Sequence, residues 1–287
     1  MPNLLLIHPA TSRRLESITT SVPHALLISG ARGSGKKFLA EYIASKVLGK
    51  EDITGHPFIL KLRPVKQTIS IEAVRELRSF LGRKTAGSGT IRRIVIIYDA
   101  NLMTNEAQNA LLKSLEEPPE DTMLMLTSSD INSLRATILS RVQMLRTEPI
   151  GKALADKALG QNFEQEPLTM AYYMSGGNAS LLLALLDQKK DHPLVQAIDS
   201  AKQLLKLPTY ERLIMADQLC KDKEQLALLL DGLQRVMMSV LHQAAIKNDK
   251  IQLARFHKLS NQVQLAIKAL AANANSKLVI SNLILQM

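Results

Sequence analysis

The segment Gly30-Ala31-Arg32-Gly33-Ser34-Gly35-Lys36-Lys37 follows the apolar run Ala25–Ser29 and opens a helical stretch. A strand, a glycine-rich turn and a helix in that order form the setting of a phosphate loop. Glycines let backbone N–H groups close around an anion, the helix N-terminus adds partial positive charge, and Lys36 neutralises phosphate. Gly30, Gly33, Ser34, Gly35, Lys36 and Lys37 are therefore the candidate phosphate-binding residues.

The pattern breaks at its last position. A hydroxyl belongs after Lys36, as a ligand of the magnesium ion that bridges nucleotide phosphates. Lys37 stands there instead, and an ammonium repels a cation rather than coordinating it. Such a loop is expected to disfavour a magnesium nucleotide. It remains compatible with phosphate or sulfate, or with weak ATP or ADP binding without magnesium.

A nucleotide-hydrolysing site also needs an apolar strand ending in Asp-Glu, the first for the metal and the second for the attacking water. The chain offers Ile94-Val95-Ile96-Ile97-Tyr98-Asp99-Ala100. In one register Tyr98 takes the metal-binding place and Asp99 the second. In the other, Asp99 takes the first and Ala100 the second. One half is missing either way; hydrolysis needs charge neutralisation and an oriented water together, and with Lys37 counted the site lacks at least two of the contributing groups.

Around these motifs, residues 1–149 alternate between β-like and helical runs, the pattern of a parallel sheet with flanking helices. Strands are expected at Ala25–Ser29, Phe58–Leu62, Arg93–Tyr98, Thr122–Ser128 and Val142–Arg146. Helices are expected near Ser12–Thr20, Lys36–Leu48, Ile71–Leu81 (capped by Ser70) and Asn105–Glu116, the last stopped by Pro118-Pro119. After Pro149 apolar residues recur only at helical spacing. Ser175-Gly176-Gly177-Asn178 reads as a turn between helices, and the polar stretch from Asp187 to Pro193 as a boundary. The expected domains are 1–149, 150–190 and 191–287. A helix near Lys223–Lys247 carries the apolar stripe Leu226, Leu229, Leu230, Leu233, Met237 and Leu241.

Composition fits this reading. Aromatic residues make up 3% of the 287-residue chain and Trp is absent, so aliphatic side chains must fill the core. Cys220 is the only cysteine, which rules out an intramolecular disulfide or a Cys-based zinc site and suits a reducing cytoplasm. The opening MPNLLLIHPA lacks the basic leader and long apolar core of a signal peptide, and no run is long enough to span a membrane. A net charge of +10 attracts acidic partners, nucleic acid among them, though the scattered lysines and arginines equally describe a solvated surface.

The segment Thr104-Asn105-Glu106-Ala107-Gln108-Asn109-Ala110-Leu111-Leu112-Lys113-Ser114-Leu115-Glu116-Glu117-Pro118-Pro119 resembles the NALLKxLEEPP string of bacterial DNA polymerase III clamp-loader subunits, AAA+ proteins. Thr137-Ile138-Leu139-Ser140-Arg141-Val142 resembles their SRC motif, with Val142 in place of the Cys. The tail Asn273-Ala274-Asn275-Ser276-Lys277-Leu278 is similar to the ending of the delta-prime type. Counted back from Asn109, the family's Asp-Glu pair falls on Tyr98 and Asp99.

The resemblance implies an α/β AAA+ P-loop core followed by an all-α lid and an all-α collar. It implies sibling subunits (tau/gamma and delta), the sliding clamp and primed DNA as partners. It also implies a non-hydrolysing role, with Arg141 donated to a neighbouring ATPase subunit and Thr137 and Ser140 capping the helix that carries it. Arg141 in a local ion pair is the plainer account of that residue. An active ATPase subunit or a basic DNA-binding adaptor are the alternative functions. The lid of an active subunit carries a sensor arginine near the position of Ser180, and none is present here. The four-cysteine zinc module of many relatives is also absent, which leaves His56 as a loop residue and implies no bound metal. Lys113 and Arg135 lie near the motifs and are candidates for contact with DNA.

Overall fold

The structure is a computed structural model that describes residues 6–85, 89–219 and 222–287. Cys220 and the first five residues of the apolar opening lie outside the described residues. The chain divides into two compact units, Met1–Pro149 and Ile150–Met287.

The first unit is a five-stranded parallel sheet built from β1 (Ala25–Ser29), β2 (Ile59–Leu62), β3 (Arg93–Ile97), β4 (Thr122–Ser128) and β5 (Gln143–Arg146), in the order β2-β3-β4-β1-β5. Successive side chains alternate faces. Leu27, Val95, Ile97, Leu124 and Leu126 pack against α3 (Ile71–Leu81), α4 (Asn105–Glu116) and the single turn α5 (Ala136–Leu139). Leu26, Ile28, Ile94, Ile96, Met123 and Met125 face α1 (Pro9–Thr20) and α2 (Lys36–Leu48). Both faces are covered, which is why β1, β3 and β4 are buried along their whole length.

Each expected strand lies within a residue of its predicted ends. The first helix starts three residues early, at Pro9, because the His8 imidazole accepts from the Ala10 N–H (3.2 Å) and Pro suits the first helical position. Ser70 occupies its cap position but makes no side-chain cap bond. The 3₁₀ turn at Ala100–Leu102 was too short for a periodic signal, and the one-turn α5 was expected only through the resemblance, which places a helix at Arg141.

Among its described residues the second unit is helical, with α6 (Lys152–Leu159), α7 (Gln165–Ser175), α8 (Ala179–Leu186), α9 (Pro193–Lys206), α10 (Thr209–Leu219), α11 (Lys223–Ile246), α12 (Lys250–Ala271) and α13 (Ser276–Leu285). The expected turn joins α7 to α8, with Gly176 left-handed at φ 60°. One buried cluster runs from Met174 and Leu181 through Ile198 to Leu230, Leu233 and Val263, so the polar Asp187–His192 stretch interrupts the helices without dividing the core. Gly232 lets α9 and α11 approach closely, since a Cβ there would lie 2.5 Å from the Ala197 carbonyl oxygen.

Candidate functional site

The phosphate loop leaves the carboxyl end of β1, the strand beside which the sheet order reverses. Gly33 (φ 81°) and Gly35 (φ 84°) take the left-handed conformation that aims successive N–H groups inward, and Gly35 is the N-cap of α2. Gly30 is required for a different reason. Its absent Cβ would sit 1.8 Å from Thr147 Oγ1. That hydroxyl bridges the Ser29 carbonyl oxygen (3.1 Å) and the Ser34 hydroxyl (2.9 Å), bracing the loop from the end of β5.

Lys36 is 7% exposed and folds back over the loop, donating to the carbonyl oxygens of Gly30 and Ala31 at 2.8 Å each. Burial pushes its pKa down to about 8, assisted by the charges of Lys37 and Arg32 and opposed by Asp99. Lys37 reaches the end of β3, where its ammonium lies 2.8 Å from Asp99 Oδ2. The side chain that stands where a metal ligand belongs thus brings a cation of its own to the carboxylate. Asp99 is left-handed (φ 51°), and its N–H donates to Thr127 Oγ1 at 2.9 Å.

Tyr98 is 1% exposed and points into the core on the α2 side. Its hydroxyl donates to Glu41 Oε1 at 2.6 Å, the oxygen that also accepts from Lys61 at 2.8 Å. The Arg63 guanidinium stacks over its ring at 5.1 Å. Burial and then the neighbouring Glu41 raise the phenol pKa, so Tyr98 stays neutral. Burial works against ionised Glu41, but hydrogen bonds from Lys61 and Tyr98 hold its carboxyl below the usual range. Chemically, Tyr98 offers a neutral phenol bonded to Glu41, which is no ligand for a divalent ion, and Asp99 offers a carboxylate whose nearest cation is the exposed Lys37 ammonium.

Arg141 lies apart from this loop, just past α5. Its guanidinium donates to the Thr137 carbonyl oxygen (3.0 Å) and to the Ser140 hydroxyl (3.2 Å), and pairs with Glu116 Oε1 at 2.8 Å. Of the two residues expected to cap the helix before Arg141, Ser140 is the C-cap of α5, whereas Thr137 lies inside the turn and the N-cap is Arg135.

In the second unit Ser180 is the second residue of α8. The arginine that reaches the preceding turn is Arg235 of α11, which pairs with Asp231 (2.9 Å) and donates to the Met174 and Ser175 carbonyl oxygens at 3.2 and 3.1 Å. His56 accepts from the Phe58 N–H at 3.3 Å, a local loop bond. Lys113 and Arg135 are both exposed. No cluster of potential metal ligands occurs among the described residues, and no described helix is long and apolar enough to cross a membrane.

Sequence reasoning missed Thr147, Glu41 and Gln108. Gln108 is the one that left a signal: a polar residue on the buried stripe of α4, with Leu111 and Leu115. It is 2% exposed and bonds to Met103, Ser133 and Arg135.

Comparison with known proteins places this geometry in a family. A DNA polymerase III subunit delta' from Pseudomonas aeruginosa is 31% identical over 204 residues, 64% of this chain and 62% of that protein. The subunit delta' of Escherichia coli is 32% identical over 56% of this chain and 54% of its own length, so the chain matches less than two thirds of these two relatives. The Bacillus subtilis subunit delta' is 24% identical over 92% of this chain and 90% of its own. A crystal structure of a DNA polymerase III gamma-subunit-related protein from Thermotoga maritima shares the fold, with TM-score 0.58 and 20% identity over 96% of this chain and 97% of that one. Residues 7–151, half of the chain, match the family model described as DNA polymerase III, delta subunit. The chain therefore belongs to the DNA polymerase III delta-subunit family, with a likeness to the delta-prime type.

Proposed function

We propose that this chain is a non-hydrolysing stator of a DNA polymerase III clamp loader in the cytoplasm, and that it helps load the sliding clamp onto primed DNA. The observation that supports the reading is the Lys37–Asp99 pair, an ammonium 2.8 Å from the carboxylate beside the phosphate loop, where it opposes the approach of a second cation. The engagement of Tyr98 with Glu41 supports it, because a buried phenol stands in the place that the resemblance gives to the metal-binding Asp.

In this reading Arg141 acts in trans. A guanidinium delivered at a subunit boundary stabilises charge on a transferring phosphoryl group and is worth on the order of 10³-fold or more in rate. Residues 150–190 serve as the lid, and residues 191–287 pack with tau/gamma and delta siblings in the collar. The local ion pair with Glu116 is compatible with this role, since both side chains are partly exposed and such pairs are weak.

Reconstitution with the sibling subunits tests the proposal. Arg141→Ala is expected to leave assembly intact and to depress ATP hydrolysis by the complex, while the isolated chain turns over no ATP with or without magnesium. Unchanged hydrolysis by the Arg141→Ala complex overturns the trans role. Magnesium-dependent turnover by the isolated chain, abolished by Lys36→Ala, identifies an active ATPase instead. Salt-sensitive DNA binding by the isolated chain, without assembly, identifies a basic adaptor.

A further inference from the structure

The turn that carries Arg141 cannot hold its own place. Four residues form one helical turn, well below the length at which a helix is stable alone. Its anchors are Ile138, which is fully buried, and a side chain from α4. Gln108 Oε1 accepts from the N–H of Arg135, the N-cap of α5, at 2.9 Å. Its Nε2 donates to the Ser133 carbonyl oxygen at 3.1 Å and more weakly to that of Met103 at 3.4 Å. A buried amide with its oxygen and nitrogen both satisfied is a rigid connector, because losing a partner leaves a polar group unpaired in the core.

The same helix meets the far end of the turn. Glu116, eight residues after Gln108 and about 12 Å further along α4, pairs with the Arg141 guanidinium. Gln108 therefore sets where the turn begins, and Glu116 faces the group at its end. We propose that Gln108 is a positioning residue for Arg141, fixing the turn so that the guanidinium is presented in register to a neighbour's nucleotide. This rests on the trans role of Arg141 given above. A group that stabilises a transition state must be placed to a fraction of an ångström, and a misplacement of 1 Å costs about 100-fold.

Three variants test it in the complex reconstituted with the sibling subunits. Gln108→Met keeps the side-chain volume and deletes the amide. Arg135→Pro deletes the N–H that Gln108 meets together with the side chain, at a φ of −64° that proline adopts, and is read against Arg135→Ala, which loses the side chain but keeps that N–H. Arg141→Ala reports on the finger itself. The expected result is a 10- to 100-fold fall in kcat for Gln108→Met, and for Arg135→Pro relative to Arg135→Ala, with assembly and the KM for ATP unchanged. Combining Gln108→Met with Arg141→Ala is expected to add nothing to Arg141→Ala. Where Gln108→Met does not fold, the comparison of the two Arg135 variants, at an exposed position, decides. Wild-type kcat in Gln108→Met or Arg135→Pro, alongside a large loss in Arg141→Ala, overturns the positioning role and leaves the finger standing. A loss that appears in KM or assembly also overturns it, as a purely structural effect. No loss in Arg141→Ala removes the finger and this proposal together.

Discussion

The Lys37 ammonium lies 2.8 Å from Asp99 Oδ2, joining the first turn of α2 to the end of β3 across the mouth of the phosphate loop. The pair sets a cation beside the only carboxylate of the Tyr98-Asp99 step. Lys37→Thr restores a hydroxyl and releases Asp99. The variant is expected to bind ATP about tenfold more tightly with magnesium than without, a preference the parent chain lacks. Calorimetric titrations with and without the metal measure it, and identical affinities in the variant count against the role given to Lys37.

Lys36 makes anion binding depend on pH. Its pKa in the free loop is about 8, lowered chiefly by burial, and a bound anion raises it, so binding takes up a proton once the pH exceeds that value. Affinity for sulfate, whose charge does not change in this range, is therefore expected to be flat below about pH 8 and to fall above it, approaching tenfold per pH unit. Titration of the full chain at pH 7, 8 and 9 checks this, and Lys36→Met is expected to abolish the dependence.

His192 makes the second unit sensitive to acid. Its imidazole accepts from the Leu194 N–H at 3.2 Å and so must be neutral to cap α9. Burial lowers its pKa, with Lys189 and Arg235 acting in the same sense and Asp191 opposing. A histidine whose folded-state pKa is depressed contributes stability above its unfolded value of about 6.5, and loses it as the pH falls through the folded value. His192→Asn keeps a capping oxygen without titrating, so thermal unfolding of the variant is expected to shift less between pH 7 and pH 5. His192→Ala is expected to cost about 0.5–2 kcal/mol at neutral pH.

Gly232→Ala probes the contact of α9 with α11. The added methyl meets the Ala197 carbonyl oxygen at 2.5 Å and its carbon at 2.6 Å, both backbone atoms that cannot rotate away. Helix propensity favours Ala at such a site by up to about 1 kcal/mol, but overpacking outweighs it at roughly 1–3 kcal/mol or more. Urea unfolding is expected to move to lower concentration.

Much of the first unit was legible because its strands are buried on both faces and are punctuated by helices with recognisable ends, such as Pro118-Pro119 after α4. The strand–loop–helix setting of Gly30 to Lys37 could be read directly, because its glycines and Lys36 recur at fixed offsets. The choice between Tyr98 and Asp99 could not be made from residue chemistry alone. In the structure Tyr98 turns inward to Glu41 and Asp99 outward to Lys37. Thr147 and Gln108 escaped for another reason: each acts on a segment distant in sequence, Thr147 on Ser34 and Gln108 on Arg135. Such pairings depend on how strands and helices are brought together, which a one-dimensional pattern does not encode.

ATP binding by the purified chain, titrated by calorimetry in excess magnesium and again in EDTA, tests the central claim most directly. The account predicts that magnesium brings no tightening and that the nucleotide is recovered unhydrolysed. Binding at least tenfold tighter with magnesium, accompanied by turnover, contradicts it.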